Sequence, residues 1–319
     1  MAVATPAEVR ARPIRAVEFE PLPVPGGMPR RSLIPIKPSG TGPPVFLVHG
    51  ILGQIFHFKR LAERIREDIP LYGLEARGLR DDSDARSAIE EMAAAYIKEI
   101  REFQPEGPYL IGGFSLGAAI AWSMAQQLDE AGETVRLLTI DHGPPMDPLV
   151  QGRFERLRRL YSFHWRNWKG LEGRARSSYR RTAFRDETQR LLGFLHLNDT
   201  GFFYRLTLKV GRQPEAGQVK VLRGLQKAMA DWEWTPYPHS FTLFRAKIHG
   251  PQTPKNTALG YTPEFAVGGV DVVDVPGSHA FSFVEPHVNT LAVEFEAWFD
   301  RQVALNAEML ESSEGGGRE

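Results

Sequence analysis

The sequence predicts an α/β protein with a mostly parallel, doubly wound sheet and a helical lid inserted before its last strands. Continuously apolar runs alternate with segments of helical period from residue 45 to residue 141. Such alternation is typical of parallel sheets that carry helices on both faces. The run at 44–50 is apolar until it ends in His-Gly, as expected for a strand buried on both faces.

The composition excludes several classes of function. Lys plus Arg and Asp plus Glu number 39 each among 319 residues, so no basic excess suggests nucleic acid or an anionic membrane as a partner. The chain has no cysteine, which excludes disulfides, thiolate metal sites and a cysteine nucleophile. No metal site is predicted. Because no apolar stretch reaches about 18 residues and no secretory signal is recognisable, we expect a cytoplasmic protein without a membrane span.

Strands and helices follow one another regularly in the first half of the chain. Strands are predicted at 32–36, 44–50, 71–76, 136–141 and directly after Pro108. Helices are predicted at 58–66, at 89–103 and up to about Leu128, where apolar residues recur with a period near that of the α-helix.

The regular order breaks in the second half. Residues 147–236 are helical in character, rich in arginine and in aromatic side chains. They are predicted to be a lid over the carboxyl edge of the sheet, or alternatively an ordinary helical subdomain. Strands return at 241–246 and 270–275, a turn is predicted at 276–279, and a last helix at 286–299.

Three parts of the chain are therefore expected. Residues 1–31 form a Pro/Arg-rich arm or linker, and residues 32–302 form the domain. Residues 303–319 are predicted to be a disordered tail, because they end in an acidic, glycine-rich stretch. The arm is compatible with a free-standing enzyme and with a domain that begins in a linker.

A G-x-S-x-G pentapeptide, Gly113–Gly117, lies between the strand after Pro108 and a helix of small residues. A serine at a strand-to-helix turn describes a nucleophile elbow, which exposes the hydroxyl above the sheet. Glycine on either side keeps Cβ atoms out of the space between strand and helix. Ser115 is the predicted nucleophile; a loop that needs glycine for structural reasons alone is the alternative.

A serine nucleophile needs a base, and the base needs a group that fixes its tautomer. Asp141 ends a predicted strand, and His279 follows a predicted strand and a Pro-Gly turn. Both are therefore expected at the carboxyl edge of the sheet. The order Ser, Asp, His is that of α/β-hydrolases. His287 is the alternative base, but its position matches the start of the last helix.

Two backbone N–H groups are predicted to form an oxyanion hole. One belongs to Leu116, the residue after the nucleophile, and the other to Ile51 or alternatively Leu52, in the loop after the strand at 44–50. Since almost any residue supplies an N–H, only position in the chain supports this prediction.

Several motifs, in order, resemble one known family. They are Val45–Gly50, Leu71–Leu79, Gly107–Gly117, Leu138–Asp141, Phe244–Ala246, Val275–His279 and Glu285–Val288. Together they resemble the α/β-hydrolase thioesterases that release or edit products on nonribosomal peptide and polyketide synthases. The resemblance extends from about Leu33 to Phe299 and implies a triad of Ser115, Asp141 and His279.

The resemblance also implies a substrate and a partner. Such enzymes receive an acyl, peptidyl or polyketide chain as a thioester on the phosphopantetheine arm of a carrier protein, and no bound cofactor is implied. The chain would pass to Ser115 and leave by hydrolysis or cyclisation. An acyltransferase or esterase acting on an amine or alcohol acceptor is the alternative among enzymes. A catalytically inert binding module is the alternative outside them.

Five lid residues are candidate contacts for substrate or carrier. Tyr161, Trp165 and Trp168 are candidates for the acyl group, and each is also compatible with the core of the lid. Arg158 and Arg159 are candidates for the carrier or the pantetheine phosphate, and each is also compatible with a solvated surface.

Overall fold

The computed structural model describes residues 32–79, 88–144, 165–171, 176, 216–248, 258–279 and 281–315. The predicted arm at 1–31 and most of the predicted lid at 147–236 lie outside the described residues.

Seven strands form one sheet within the described residues. They are β1 (Leu33–Lys37), β2 (Val45–Val48), β3 (Leu71–Leu74), β4 (Tyr109–Phe114), β5 (Val135–Ile140), β6 (Phe241–Ile248) and β7 (Val270–Ser278). Their spatial order is β1-β3-β2-β4-β5-β6-β7. Strand β1 pairs antiparallel with β3 at one edge, and the six strands from β2 to β7 run parallel. The predicted parallel sheet is confirmed, and the strand predicted at 32–36 is observed as β1.

Helices cover both faces of this sheet. They are α1 (Phe56–Ala62), α2 (Ile89–Phe103), α3 (Leu116–Glu130), α4 (Ala216–Asp231) and α5 (His287–Gly315). A further short helical segment lies at 165–170. The predicted helix at 89–103 is observed at those bounds.

Apolar side chains form one core on each face of the sheet. Successive residues of β2 alternate between the cores: Phe46 and Val48 belong to one, and Val45 and Leu47 to the other. Helices α2, α3 and α4 contribute to the first core, and α1 and α5 contribute to the second. All four residues of β2 are buried. The predicted α/β fold class is therefore confirmed.

Helix α1 differs from the prediction at both ends. It begins at Phe56 and ends at Ala62 instead of spanning 58–66. Past the end of the helix the backbone has other partners: Lys37 Nζ donates to the carbonyl oxygens of Ile65 and Arg66, each at 2.8 Å. The Arg66 N–H donates to Glu296 Oε1 of α5 at 2.7 Å.

The end of β7 also differs. The turn predicted at 276–279 is wrong in its first three residues, because β7 continues through Ser278. Its pairing with β6 shifts register near Ile248, and Gly277 takes a φ of 87°. A Cβ at Gly277 would lie 2.7 Å from His287 Cδ2, so only glycine fits this close approach. His279 therefore follows the strand directly, without the predicted intervening Pro-Gly turn.

Helix α5 extends beyond the predicted helix end at 299. It continues to Gly315, so residues 303–315 are helical instead of the predicted disordered tail. The extension is held by polar contacts that a search for apolar periodicity misses. Asn306 is 8% exposed, and its Oδ1 accepts from Arg136 Nε of β5 at 2.8 Å.

Candidate active site

Ser115 lies between β4 and α3 with φ 56° and ψ −127°, a backbone conformation that is strained for a residue with a side chain. The flanking glycines make this turn possible. A Cβ on Gly113 would lie 1.9 Å from the Gly117 carbonyl oxygen, and one on Gly117 would lie 2.4 Å from the His49 carbonyl oxygen. The Ser115 N–H donates to the Ile140 carbonyl oxygen at 3.1 Å, which ties the turn to β5. The predicted strand, turn and helix are all observed.

Asp141 is the first residue after β5 and also has a positive φ, of 52°. Its N–H donates to the Phe244 carbonyl oxygen at 2.7 Å. Its Oδ1 accepts from the N–H of Ala246 at 2.8 Å, and the residue is 8% exposed. Strand β6 therefore fixes both the backbone and one carboxylate oxygen of Asp141, leaving Oδ2 for another partner.

His279 follows β7 and joins the other two residues. Its Nδ1 lies 2.9 Å from Asp141 Oδ2 and 3.0 Å from the Asp141 carbonyl oxygen. Its Nε2 lies 2.9 Å from Ser115 Oγ. Because both oxygens of Asp141 can only accept, Nδ1 carries the proton, and Nε2 is free to accept from the serine hydroxyl. The structure thus brings together the three residues that chain order and resemblance select.

His287, the alternative base, is the first residue of α5. It packs against Gly277 and also against Gly170 of the short helical segment, where a Cβ would lie 3.2 Å from its Cε1. It is 8% exposed, and burial lowers its pKa. Within the described residues it makes no hydrogen bond to Ser115 or Asp141, and His279 occupies the position that a base requires.

The two predicted oxyanion donors belong to different parts of the chain, the start of α3 and the loop after β2. Leu116 is the first residue of α3, where an N–H has no helical acceptor. The loop after β2 packs against the end of β4, because a Cβ on Gly50 would lie 3.3 Å from Phe114 Cδ1. This contact brings the Gly50–Ile51 peptide next to the elbow. The fallback residue, Leu52, is 61% exposed.

His49 supports that loop, a role that the sequence interpretation missed. It is completely buried; its Nδ1 lies 2.7 Å from the Gly50 carbonyl oxygen and its Nε2 lies 2.9 Å from Tyr96 Oη. The carbonyl can only accept, so Nδ1 donates and Tyr96 donates to Nε2. Burial lowers the pKa of His49 to about 4, which keeps the ring neutral at neutral pH. The His-Gly dipeptide was the available signal, but Tyr96 comes from α2, 47 residues away.

His142 is a second histidine beside the candidate site. Burial, reinforced by the proximity of His279, lowers its pKa to about 4, although Asp141 acts in the opposite direction. The ring centroids of His142 and Trp234 lie 6.1 Å apart. A neutral His142 places no competing positive charge beside the His279–Asp141 pair at neutral pH.

Two of the five candidate lid contacts are described. Trp165 is 50% exposed, and its ring centroid lies 5.5 Å from that of Trp168. The guanidinium of Arg176 lies over the Trp168 ring at 4.7 Å. Tyr161, Arg158 and Arg159 lie outside the described residues. Since Gly170 contacts His287, this segment lies beside the start of α5.

Metal-binding clusters and membrane-spanning helices are both absent from the described part of the chain. No group of three or more His, Asp or Glu side chains there has a metal-binding arrangement. None of the helices there is long and apolar enough to span a membrane.

The sheet order and the serine elbow define the fold as that of an α/β-hydrolase. The more particular likeness is to thioesterase domains. Residues 43–156 match the family model of the thioesterase domain, so the resemblance predicted from the sequence is confirmed over the segment that carries Ser115 and Asp141.

Known relatives are large synthetases. The chain is 44% identical to malpinin synthetase of Mortierella alpina over 112 residues, which are 35% of this chain and 1% of that protein. It is 43% identical to a dimodular nonribosomal peptide synthase of Bacillus subtilis (strain 168) over 108 residues, which are 34% of this chain and 4% of that protein. The chain therefore matches only a small fraction of the length of each of these relatives.

A similar solved structure is that of the NocB thioesterase domain in covalent complex with a fluorophosphonate nocardicin G analog. The two folds superimpose with a TM-score of 0.57 at 22% identity, over 84% of this chain and 99% of that one. At this identity the likeness supports the fold alone, and its coverage extends beyond residue 156, where the family match ends.

Proposed function

We propose that this protein is a serine thioesterase that takes an acyl, peptidyl or polyketide chain from the phosphopantetheine thioester of a carrier protein. One observation carries the proposal: Ser115 Oγ, His279 Nε2, His279 Nδ1 and Asp141 Oδ2 form a continuous chain with two contacts of 2.9 Å. The match of residues 43–156 to the thioesterase domain supports a thioester as the substrate over other acyl donors.

In the first half-reaction Ser115 Oγ attacks the thioester carbonyl carbon while His279 Nε2 takes the hydroxyl proton. Asp141 stabilises the imidazolium that forms and keeps Nδ1 protonated. The tetrahedral oxyanion accepts from the Leu116 and Ile51 N–H groups, which are donors held by the backbone. Collapse breaks the C–S bond, the departing sulfur receives the proton from Nε2, and the chain remains on Ser115 as an ester.

In the second half-reaction His279 Nε2 takes a proton from the acceptor, which attacks the acyl-Ser115 carbonyl. The bond between the acyl carbon and Ser115 Oγ then breaks, and Nε2 returns the proton to Oγ. Water gives the free acid, and a hydroxyl or amine of the chain itself gives a cyclic product. The same geometry serves transfer to a separate amine or alcohol, so the acceptor is identified by analysis of the product. Trp165, Trp168, Tyr161, Arg158 and Arg159 remain predicted contacts for the chain or the carrier.

Partner and substrate are supported by the relatives. Of the two relatives described above, one is named malpinin synthetase and the other a dimodular nonribosomal peptide synthase. In such assemblies the growing chain is held on phosphopantetheine, so the partner we propose is a carrier protein or carrier domain. No bound cofactor is required by the mechanism.

The test is covalent capture on the full chain, followed by intact-protein mass spectrometry. A carrier protein loaded with an acyl-phosphopantetheine should transfer the acyl mass to the wild-type chain, and peptide mapping should locate it on Ser115. The Ser115→Ala variant should gain no acyl mass and should lose thioester cleavage by a factor of about 10³ or more. Cleavage that persists in Ser115→Ala would overturn the proposal.

A further inference from the structure

The aromatic ring next to the nucleophile lies against the base. Phe114, the last residue of β4, stacks on His279 with ring centroids 4.8 Å apart and planes inclined by 26°. This separation lies within the range of favourable aromatic pairs. Side chains alternate between the two faces of β4, so Leu110 and Phe114 lie on the same face. Both pack in the core that α1 and α5 cover, on the face opposite to α3.

Hydrogen bonds alone do not hold the imidazole of His279. Both of its nitrogen atoms have partners, Asp141 on one side and Ser115 on the other. These contacts and the bond to Cβ set the position of the ring, but the last torsion of histidine has a broad minimum, so they restrain the tilt of the ring plane only weakly. The His279 side chain is 47% exposed, so general burial does not restrict it. A flat surface against one face of the ring supplies the missing restraint.

Phe114 is itself held from several directions. Phe283 contacts it with centroids 5.1 Å apart at 77°, and His57 with centroids 5.1 Å apart at 57°. The loop of Gly50 lies against its Cδ1 edge. His57 Nε2 is buried without a hydrogen-bond partner within the described residues, and burial lowers the pKa of His57 to about 4. At neutral pH His57 is therefore an uncharged aromatic surface behind Phe114.

We infer that Phe114 is a positioning residue for the base: its ring, supported by Phe283 and His57, holds the His279 imidazole in the plane that joins Asp141 to Ser115. The inference rests on the proposed function, because it concerns the base of that same reaction. The stack also favours the imidazolium that forms as Ser115 attacks, since a cation over an aromatic face is stabilised. Phe114 acts through His279, and no contact with the acyl chain is required.

The test measures the rate at which a simple alkyl fluorophosphonate labels Ser115 of the full chain, because this readout does not depend on knowing the acyl chain. Phe114→Leu keeps an apolar side chain and removes the flat ring. Its maximal labelling rate should fall about ten-fold, with the half-saturating probe concentration within about two-fold of wild type. Phe114→Tyr, which keeps the ring, should restore the rate to within about three-fold of wild type.

Phe58→Leu is the matched control. Phe58 is fully buried and packs on His57 and Phe283, and no ring contact joins it to His279 within the described residues. It should lose thermal stability like Phe114→Leu and keep the wild-type labelling rate. If Phe114→Leu does not fold, Phe114→Met, with a flexible side chain of similar bulk, should show the same loss of rate.

The outcomes separate the inference from the function on which it rests. Wild-type chain that is not labelled at Ser115 would contradict the proposed function. Wild-type labelling at Ser115 together with equally fast labelling of Phe114→Leu would overturn only the positioning role of Phe114. A loss of rate in Phe58→Leu equal to that in Phe114→Leu would also overturn it, because general loosening of the aromatic cluster would then explain both.

Discussion

Ser115 and His279 are neighbours in space, but the protein holds them in different ways. Ser115 is fixed by its own backbone, in a turn with φ 56°. Gly113 and Gly117, each two residues from the serine, make this turn possible. His279 is fixed by side chains that come from elsewhere, with Asp141 138 residues away and Phe114 stacked on its ring. The nucleophile is therefore determined locally, whereas the base is determined by the order of strands in the sheet.

The largest expected effect comes from removing the distant support of the base. In Asp141→Asn the amide oxygen still accepts from the Ala246 N–H, and the amide nitrogen then faces His279 Nδ1. This favours the tautomer whose Nε2 carries a proton and cannot accept from Ser115. The rate of Ser115 acylation should fall about 10⁴-fold while the melting temperature changes little.

Asp271→Asn is a suitable control for that variant. Asp271 lies on β7, its side chain is 62% exposed, and its ion pair with Arg301 spans 3.6 Å. Its removal should change both the acylation rate and stability very little, since exposed pairs contribute about 0–1 kcal/mol. An Asp141→Asn variant that acylates Ser115 as fast as this control would exclude Asp141 as the group that orients the base.

Breaking the local support of the nucleophile should instead damage the fold. In Gly113→Ala the added Cβ would lie 1.9 Å from the Gly117 carbonyl oxygen, which is backbone and cannot move without displacing α3. The free energy of unfolding should fall by about 3 kcal/mol or more, measured by chemical denaturation. Activity should be lost together with folded protein, unlike in Asp141→Asn.

Gly132→Ala is the control for Gly113→Ala, because it introduces a Cβ at a glycine with positive φ but without a steric clash. Gly132 has a φ of 79°, and a Cβ there would meet nothing within 4 Å. Its replacement should cost about 1 kcal/mol from the left-handed conformation alone. If Gly113→Ala were no more destabilising than Gly132→Ala, the turn at Ser115 would be more adaptable than the comparison with His279 requires.

The same contrast explains what could be predicted from the sequence. Ser115 and Asp141 follow strands of contiguous apolar residues, and His279 follows an alternating strand. Position after a strand and order along the chain were therefore enough to predict all three. The stacking of Phe114 on His279 and the bond from Tyr96 to His49 were not predicted, because each joins residues on different elements. Their partners become known only when strand order and helix placement are known.

The end of the chain was mispredicted for a related physical reason. The tail at 303–319 was predicted to be disordered from its acidic, glycine-rich end, whereas Gln302 and Asn306 pack against the domain. In the structure these two are 9% and 8% exposed. Asn306 bonds to Arg136, 170 residues earlier, and burial lowers the pKa of that arginine. A buried polar side chain is compatible with a packed helix when a distant partner satisfies it.

The last and smallest effect is expected from loss of the contact between Asn306 and Arg136. This contact lies near the start of β5, whereas Asp141 follows the end of that strand. Asn306→Ala removes the acceptor for Arg136 Nε and should lower the free energy of unfolding by about 1–2 kcal/mol. The rate of Ser115 acylation should remain within about two-fold of wild type, because Arg136 is the second residue of β5 and the site lies at the other end of that strand. Glu308→Ala, at an exposed position of the same helix, is the control and should leave stability unchanged.

Equal stability of the two variants would contradict packing of the extended α5 on β5. A fall in acylation rate in Asn306→Ala alone would show that the support of Asp141 extends along the whole strand, which would make the acid as dependent on distant contacts as the base.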